Sequence, residues 1–281
     1  MKISKFLLIV FLPFTPVLKA QTAQKVIYET DFSADWDDIS AIALLHAFAD
    51  IGEVEILGCM INTSNEFAGR ACDAVNTFYG RPNIPIGVYK GSDNIKSNSH
   101  YTEGLAREFP NNLPDNKGVM EAHMLYRKIL ALQPDKSVTI LSVGFNDNLE
   151  ALLKTQAGEY SPLTGFELVK AKVKILYIMG PYLEPYRFKA DADNYRKGFN
   201  FHFHHESAKY VVDKWPTGIK FAEGSFGHTM FIGNELHQKS SNNPIRRAFE
   251  LSEKTKDWDQ HCADPSTIIY GVWGTDFFNE V

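Results

Sequence analysis

Glu29, Asp31, Asp35, Asp37 and Asp38 place five carboxylates within ten positions, directly after the apolar run Val26-Ile27-Tyr28. A buried strand that opens into clustered carboxylates, followed by an apolar-periodic helix, concentrates negative charge at the strand's carboxyl end. In open α/β sheets that end is where ligands bind. Packed carboxylates repel one another and stay ionised together only when a cation joins them. An all-oxygen set without Cys or His suits Ca²⁺ or Mg²⁺ better than Zn²⁺, so the segment reads as a divalent-metal site. Helix capping is the plainer alternative: Asp35 or Asp37, ahead of the stripe Ile39, Ile42, Ala43, His46, Ala47, would serve the positive end of a helix dipole. Capping leaves Asp31, at the strand end, unexplained.

Three further stretches carry side chains of a useful kind. Val143-Gly144-Phe145-Asn146-Asp147-Asn148-Leu149 follows a strong strand pattern and opens a helix. Glycine permits the tight turn, and Asn or Asp begins the helix. As a βα turn it needs no function, but it falls on the same sheet edge as the carboxylates. The stretch from Gly198 to Glu206 sets Asn200, His202, His204 and His205 among phenylalanines. Alternating histidines are what a loop or strand end also gives, so a metal tract is the weaker reading. Asn200, framed by Phe199 and Phe201, reads instead as a hydrogen-bonding group in a sugar or base pocket. Asp264-Pro265 marks a helix start with Asp at the cap and Pro in the first turn. By itself that carboxylate is a plain N-cap.

The elements that must position these residues alternate along the chain. Short β-branched runs at 26–29, 54–61, 84–88, 138–143, 172–179 and 219–222 read as strands. Helical patterns cover 37–49, 66–79, 119–133, 148–154, 206–214 and 265–273. This alternation predicts an α/β fold with a mostly parallel central sheet and helices on both faces. Two polar, turn-rich stretches, 90–117 and 181–205, interrupt the pattern. The first reads as a solvated surface loop and the second as a functional segment.

The chain has 281 residues, 44% of them hydrophobic, enough for one large domain or two smaller ones, and a net charge of -5 with both signs interspersed. No basic footprint for a phosphate backbone is present, which argues against nucleic acid as a partner. Lys2 and Lys5 precede an apolar run from Phe6 to Val17, and Ala20 or Ala23 offers a small residue for cleavage. That is the pattern of a secretory signal peptide over residues 1–20, with cleavage as late as 23, so the protein is expected to be exported, periplasmic or secreted. No stable membrane insertion is expected, and nothing in the chain forbids a homo-oligomer. Cys59, Cys72 and Cys262 are an odd set without metal-ligand spacing and read as small buried hydrophobes.

Taken in order, these pieces resemble the inosine–uridine-preferring nucleoside hydrolase family. The family opens with a strand and a D-x-D-x-G-x-D-D motif, with a longer D-T-D-x-x-x-D-x-D-D form; here the stretch Glu29 to Asp38 reads E-T-D-F-S-A-D-W-D-D. The family's V-G-x-x-T-N-L turn appears as Val143 to Leu149, its E-F-N segment as Gly198-Phe199-Asn200, and its final carboxylate as Asp264. The passages from Asp73 to Pro82 and from Ser161 to Gly165 are similar as well, so the resemblance runs from Lys25 to Gly274. It implies a single domain over residues 24–281, short at its C-terminus, that takes a nucleoside or related ribosyl compound and hydrolyses its N-glycosidic bond with Ca²⁺. It further implies that Asp31, Asp38 and Asp264, with the backbone carbonyl of Asp147, hold the ion. Asp31 would also be the base, Asp37 and Asn200 would grip ribose hydroxyls, and Asn65 would stand near the sugar.

The chain departs from that pattern at several positions. Glu29 replaces the motif's first Asp, Asp147 replaces a threonine, Gly198 replaces the glutamate of the E-F-N segment, and Ala263 stands where many members have His. His261 lies two residues earlier and would need a rearranged loop to take that part. Metal ligands are kept better than sugar ligands, which leaves open a weak or inactive relative that binds a sugar-like ligand. A haloacid-dehalogenase-like phosphatase also places D-x-D after its first strand, but its nucleophile would have to be Glu29.

Overall fold

The computed structural model describes residues 22–32, 36–91, 100–180, 198–252, 258 and 260–275. The expected signal peptide, the Asp35 cap and the stretch 181–197 lie outside the described residues.

Six strands form one parallel sheet: β1 (Gln24–Thr30), β2 (Val54–Ile61), β3 (Ile86–Val88), β4 (Val138–Ser142), β5 (Val173–Met179) and β6 (Gly218–Ala222). Their spatial order is β3-β2-β1-β4-β5-β6, and every pairing is parallel. The helices are α1 (Asp37–Asp50), α2 (Ala68–Phe78), α3 (His100–Glu108), α4 (Ala122–Ala131), α5 (Asp147–Lys154), α6 (Gly165–Lys172), α7 (Phe199–Phe203), α8 (His205–Lys214), α9 (Gly224–Gly227), α10 (Pro244–Leu251) and α11 (Ala263–Trp273). A small antiparallel pair, β7 (Phe231–Ile232) and β8 (Gln260–His261), stands apart from the main sheet. Among the described residues, no helix is long and apolar enough to cross a membrane.

The period of two along each strand divides the core into two layers. Val26 and Tyr28 of β1 face one layer, packed with α1, α2, α10 and α11. Ile27 faces the other, with α4, α5, α6 and α8. Helices therefore cover both faces, as the alternation predicts. Two expected loops contain helices. The 90–117 stretch holds α3, which seals Tyr101 and Leu105 into the first layer. The 181–205 stretch ends in α7 and the start of α8, so the histidine tract is helical rather than a loop. Further down the chain, α10 begins at an Asn243 cap with Pro244 in its first turn, a helix start that polar flanks conceal in sequence.

After β1 the chain runs outward through β2 and β3, then returns to lay β4 against β1 on the other side. The order reverses between β1 and β4, and the crevice beyond their carboxyl ends is the switch point where such sheets take ligands. Gly144 makes the crossing tight. A Cβ there would stand 2.6 Å from the side-chain oxygen of Asn62 and 2.6 Å from the amide nitrogen of Asp31, so only glycine allows β4 to leave the sheet this close to β1.

Candidate functional site

At the carboxyl edge, the carboxylates of Asp37, Asp38 and Asp264 converge, each offering an oxygen within 4.8 Å of the others, and all three are buried. Two helix starts bring them together, because Asp37 and Asp38 sit in the first turn of α1 and Asp264 in the first turn of α11. Helix N-termini carry unpaired N–H groups and partial positive charge, which favours anions there. The Asp264 amide donates to Asp37 Oδ2 at 3.1 Å, locking one helix start to the other. Thr30 Oγ1 donates to Asp38 Oδ1, and Tyr28 donates its phenolic proton to the Asp38 carbonyl at 3.1 Å. Burial pushes the Tyr28 phenol well above its ordinary range, and the nearby charges of Asp38 and Asp264 add to that. Behind Asp264, Gly227 of α9 presses on the chain so closely that a Cβ would lie 2.3 Å from Ala263 Cα.

Asp31 stands outside the converging set. It is buried at the end of β1, and its carbonyl accepts from Thr63 Oγ1 at 2.8 Å. The following residue, Phe32, is fully buried at φ +46° with its ring against Tyr101. A bulky residue in the left-handed region is strained, and such strain persists where packing over-determines it.

The other expected site residues lie on the same edge in varied surroundings. Asn200 is buried and donates to the Val143 carbonyl at 2.8 Å. Asn65 is woven into the turn between β2 and α2: its Oδ1 accepts from the Phe67 amide at 2.9 Å, and its Nδ2 donates to Thr102 Oγ1 at 3.0 Å. The Asp147 carboxylate turns to α8, where His204 Nδ1 is 2.7 Å away and Ser207 Oγ donates at 3.3 Å. The His204 ring stacks on Phe145 at 4.2 Å. Gly198 caps α7 at φ +71° and ψ +148°, a backbone region almost reserved for glycine.

Glu29 takes no part in the carboxylate cluster. Strand alternation sends it to the α4 side, where Tyr126 donates to Oε2 at 2.5 Å and Asn62 Nδ2 to Oε1 at 3.3 Å. Burial pushes its carboxyl up to about 8, with the hydrogen bonds from Tyr126, Asn62 and Asn148 opposing. Asn62 also donates to the Phe145 carbonyl at 2.7 Å, so this buried group ties β1, β2 and α4 to the βα turn. The period of two carried that placement in sequence, since Glu29 and Thr30 must face opposite layers. Two features had no local signal. Asn146 is fully buried with neither amide atom hydrogen-bonded to a described residue. His228, just after α9, stacks at 4.0 Å on His261 of the segment leading to Asp264.

No family model matches the chain, and no curated protein matches it. Solved structures do. The type III effector protein XopQ, determined in complex with adenosine diphosphate ribose, superposes with a TM-score of 0.66 at 13% identity, over 92% of this chain and 84% of that one. The effector protein XOO4466 gives a TM-score of 0.65 at 13% identity, over 92% and 83% of the two chains. The chain thus shares with these effectors one fold, an open α/β sheet with helices on both faces.

Proposed function

We propose that the chain binds a ribosyl compound at the carboxyl edge of its sheet and hydrolyses its N-glycosidic bond with the help of Ca²⁺. The observation that carries this reading is the convergence of Asp37, Asp38 and Asp264 beside the switch point. The donors suit the ion: hard carboxylate oxygens, buried, with neither sulfur nor imidazole among them. Asp38 and Asp264 would hold it, joined by Asp31 and the Asp147 carbonyl as the resemblance implies, or by Asp37. A bound divalent cation acidifies water and orients a sugar diol.

The chain's own residues do the rest. Asp31 takes a proton from the attacking water. The water oxygen bonds to the anomeric carbon as the carbon–nitrogen bond breaks, and its electron pair leaves with the heterocycle. The Val143 carbonyl holds the Asn200 nitrogen, and the amide's Oδ1 would then accept from a ribose hydroxyl. Asp37 grips a second hydroxyl, and Asn65 stands near the sugar. Because XopQ, which shares the fold, was determined with adenosine diphosphate ribose, that compound belongs beside inosine and uridine among the first ligands to try.

A second reading, ligand binding with little turnover, is favoured by Gly198, whose left-handed backbone a glutamate could adopt only with strain. The phosphatase reading finds no support, since Glu29 is fully buried among Tyr126 and Asn62. Ribose release from inosine, uridine and adenosine diphosphate ribose, with and without chelator, tests the proposal. Asp31→Asn should lower turnover by about 10²–10⁴-fold while leaving ligand binding, the range for losing a general base. Release that survives chelation, or an Asp31→Asn variant as active as wild type, would sink it.

A further inference from the structure

Cys59 of β2 and Cys72 of α2 are both fully buried and face each other across the first core layer. Both are free thiols in this structure, and Asn76 Nδ2 lies 4.0 Å from Cys59 Sγ and 3.9 Å from Cys72 Sγ, which holds the two sulfurs within about 8 Å of each other. Asn76 is one helical turn beyond Cys72 on the same face of α2, and its Oδ1 is held by His46 Nε2 at 2.9 Å. The amide is therefore held in place, with both sulfurs at its edge. Cys262, the third cysteine, lies apart on the segment before α11.

The geometry points to Cys59 and Cys72 as an intramolecular disulfide pair, closed during folding by exchange with a disulfide oxidant. The thiolate of one cysteine attacks the oxidant's disulfide, forming a mixed disulfide and releasing one thiol. The second cysteine then attacks its partner's sulfur and expels the other thiol. Two cysteine protons and two electrons pass to the oxidant, which leaves as two thiols. A hydrogen bond with Cys59, with burial adding to it, pushes the Cys72 thiol well above its ordinary range in the closed fold, so exchange belongs to the stage before the core closes. The bridge would close the loop over residues 60–71. Within that loop Thr63 holds the Asp31 carbonyl, Asn62 holds the Phe145 carbonyl, and Asn65 lies at the site edge. A cross-link there pins the β2 side of the crevice whatever ligand the crevice takes, so the inference stands apart from the ribosyl reading.

Unfolded, reduced protein is refolded in a buffer of glutathione and its disulfide, with circular dichroism to confirm the native state. Free thiols are then alkylated in denaturant and the protein is digested without reductant. Should refolding yield be poor, the same labelling is applied to protein expressed natively in an oxidising compartment. The expected result is a linked peptide pair carrying Cys59 and Cys72, a mass lower by two hydrogen atoms, and alkylation of Cys262 alone. Reductant should lower the unfolding temperature of wild type and leave that of Cys59→Ala unchanged. Alkylation of all three cysteines, or a link that includes Cys262, overturns the inference.

Discussion

Asp37, Asp38 and Asp264 are held together against their own repulsion. At separations near 5 Å and an effective dielectric of about 20, each like-charge pair costs roughly 3 kcal/mol, whereas a helix N-terminus returns only about 0.3–2 kcal/mol per carboxylate. Repulsion wins unless a cation is bound or one carboxylate takes up a proton. Removing one charge should therefore have opposite consequences in two solutions. In chelator, Asp264→Asn is expected to match or exceed the wild-type unfolding temperature, because repulsion is relieved. With Ca²⁺ in excess, wild type should rise and the variant should not follow. Melting curves of both proteins in both buffers test this; a variant less stable than wild type in chelator would mean that the hydrogen bonds these carboxylates accept outweigh their mutual repulsion. Gly198 poses a different constraint. Its backbone at φ +71° and ψ +148° costs a side chain about 1–3 kcal/mol. Gly198→Glu is accordingly expected to lower the unfolding temperature without raising ribose release, and a gain in release at unchanged stability would show that the backbone relaxes to admit the carboxylate.

Helix α1 carries charge at one end and a buried base near the other. Its first turn supplies Asp37 and Asp38, while His46 is fully buried, stacked on Tyr79 at 4.6 Å and bonded to Asn76. Burial pushes the His46 imidazole down to about 4, aided by Arg81 and opposed by the Asn76 hydrogen bond and Asp50. Its folded value lies below the ordinary value of about 6.5, so the unfolded chain takes up the proton first as pH falls. The stability His46 contributes is present above about pH 6.5 and is lost toward pH 4, on the order of 3 kcal/mol across that window. His46→Gln should flatten the fall in unfolding temperature between those pH values, and an unchanged slope would assign it to other groups. The element scale also shows what the sequence could tell. Strands such as Val54–Ile61 and helices such as α1 are legible from their apolar runs, because most of their residues are buried. Helices α3 and α10 are hidden, since each is short and polar on its outer face and helical mainly because Leu105, Ile245 and Phe249 find a core. The carboxylate motif was legible as a group, but the turning of Glu29 to the α4 side while Asp37 and Asp38 converge depends on strand alternation meeting a helix start. Asp264 joins them only through the packing of α11 on α1, which no local pattern encodes.

For the molecule as a whole, the crevice joins parts of the chain that are far apart in sequence. β1, the start of α1, the β4–α5 turn, α7 and the start of α11 all meet at one edge. A cation or ligand that bridges them binds the native state and has no comparable site in the unfolded chain. Its binding free energy then appears as global stability, about 2.7 kcal/mol when the free ligand is 100-fold above its dissociation constant. Ca²⁺ should thus raise the unfolding temperature progressively with the logarithm of its concentration, and chelator should return it to one baseline. Adenosine diphosphate ribose or inosine, added with Ca²⁺, should raise it further only if the ion and the sugar share the crevice. The Asp264→Asn variant separates the cases: losing the Ca²⁺ shift and the ligand shift together means one coupled site, whereas a ligand shift that persists without the ion means the sugar binds through Asn200 and its neighbours alone. If neither Ca²⁺ nor any ribosyl ligand moves the wild-type unfolding temperature, the buried carboxylates serve the fold, as acidic first turns that join the starts of α1 and α11.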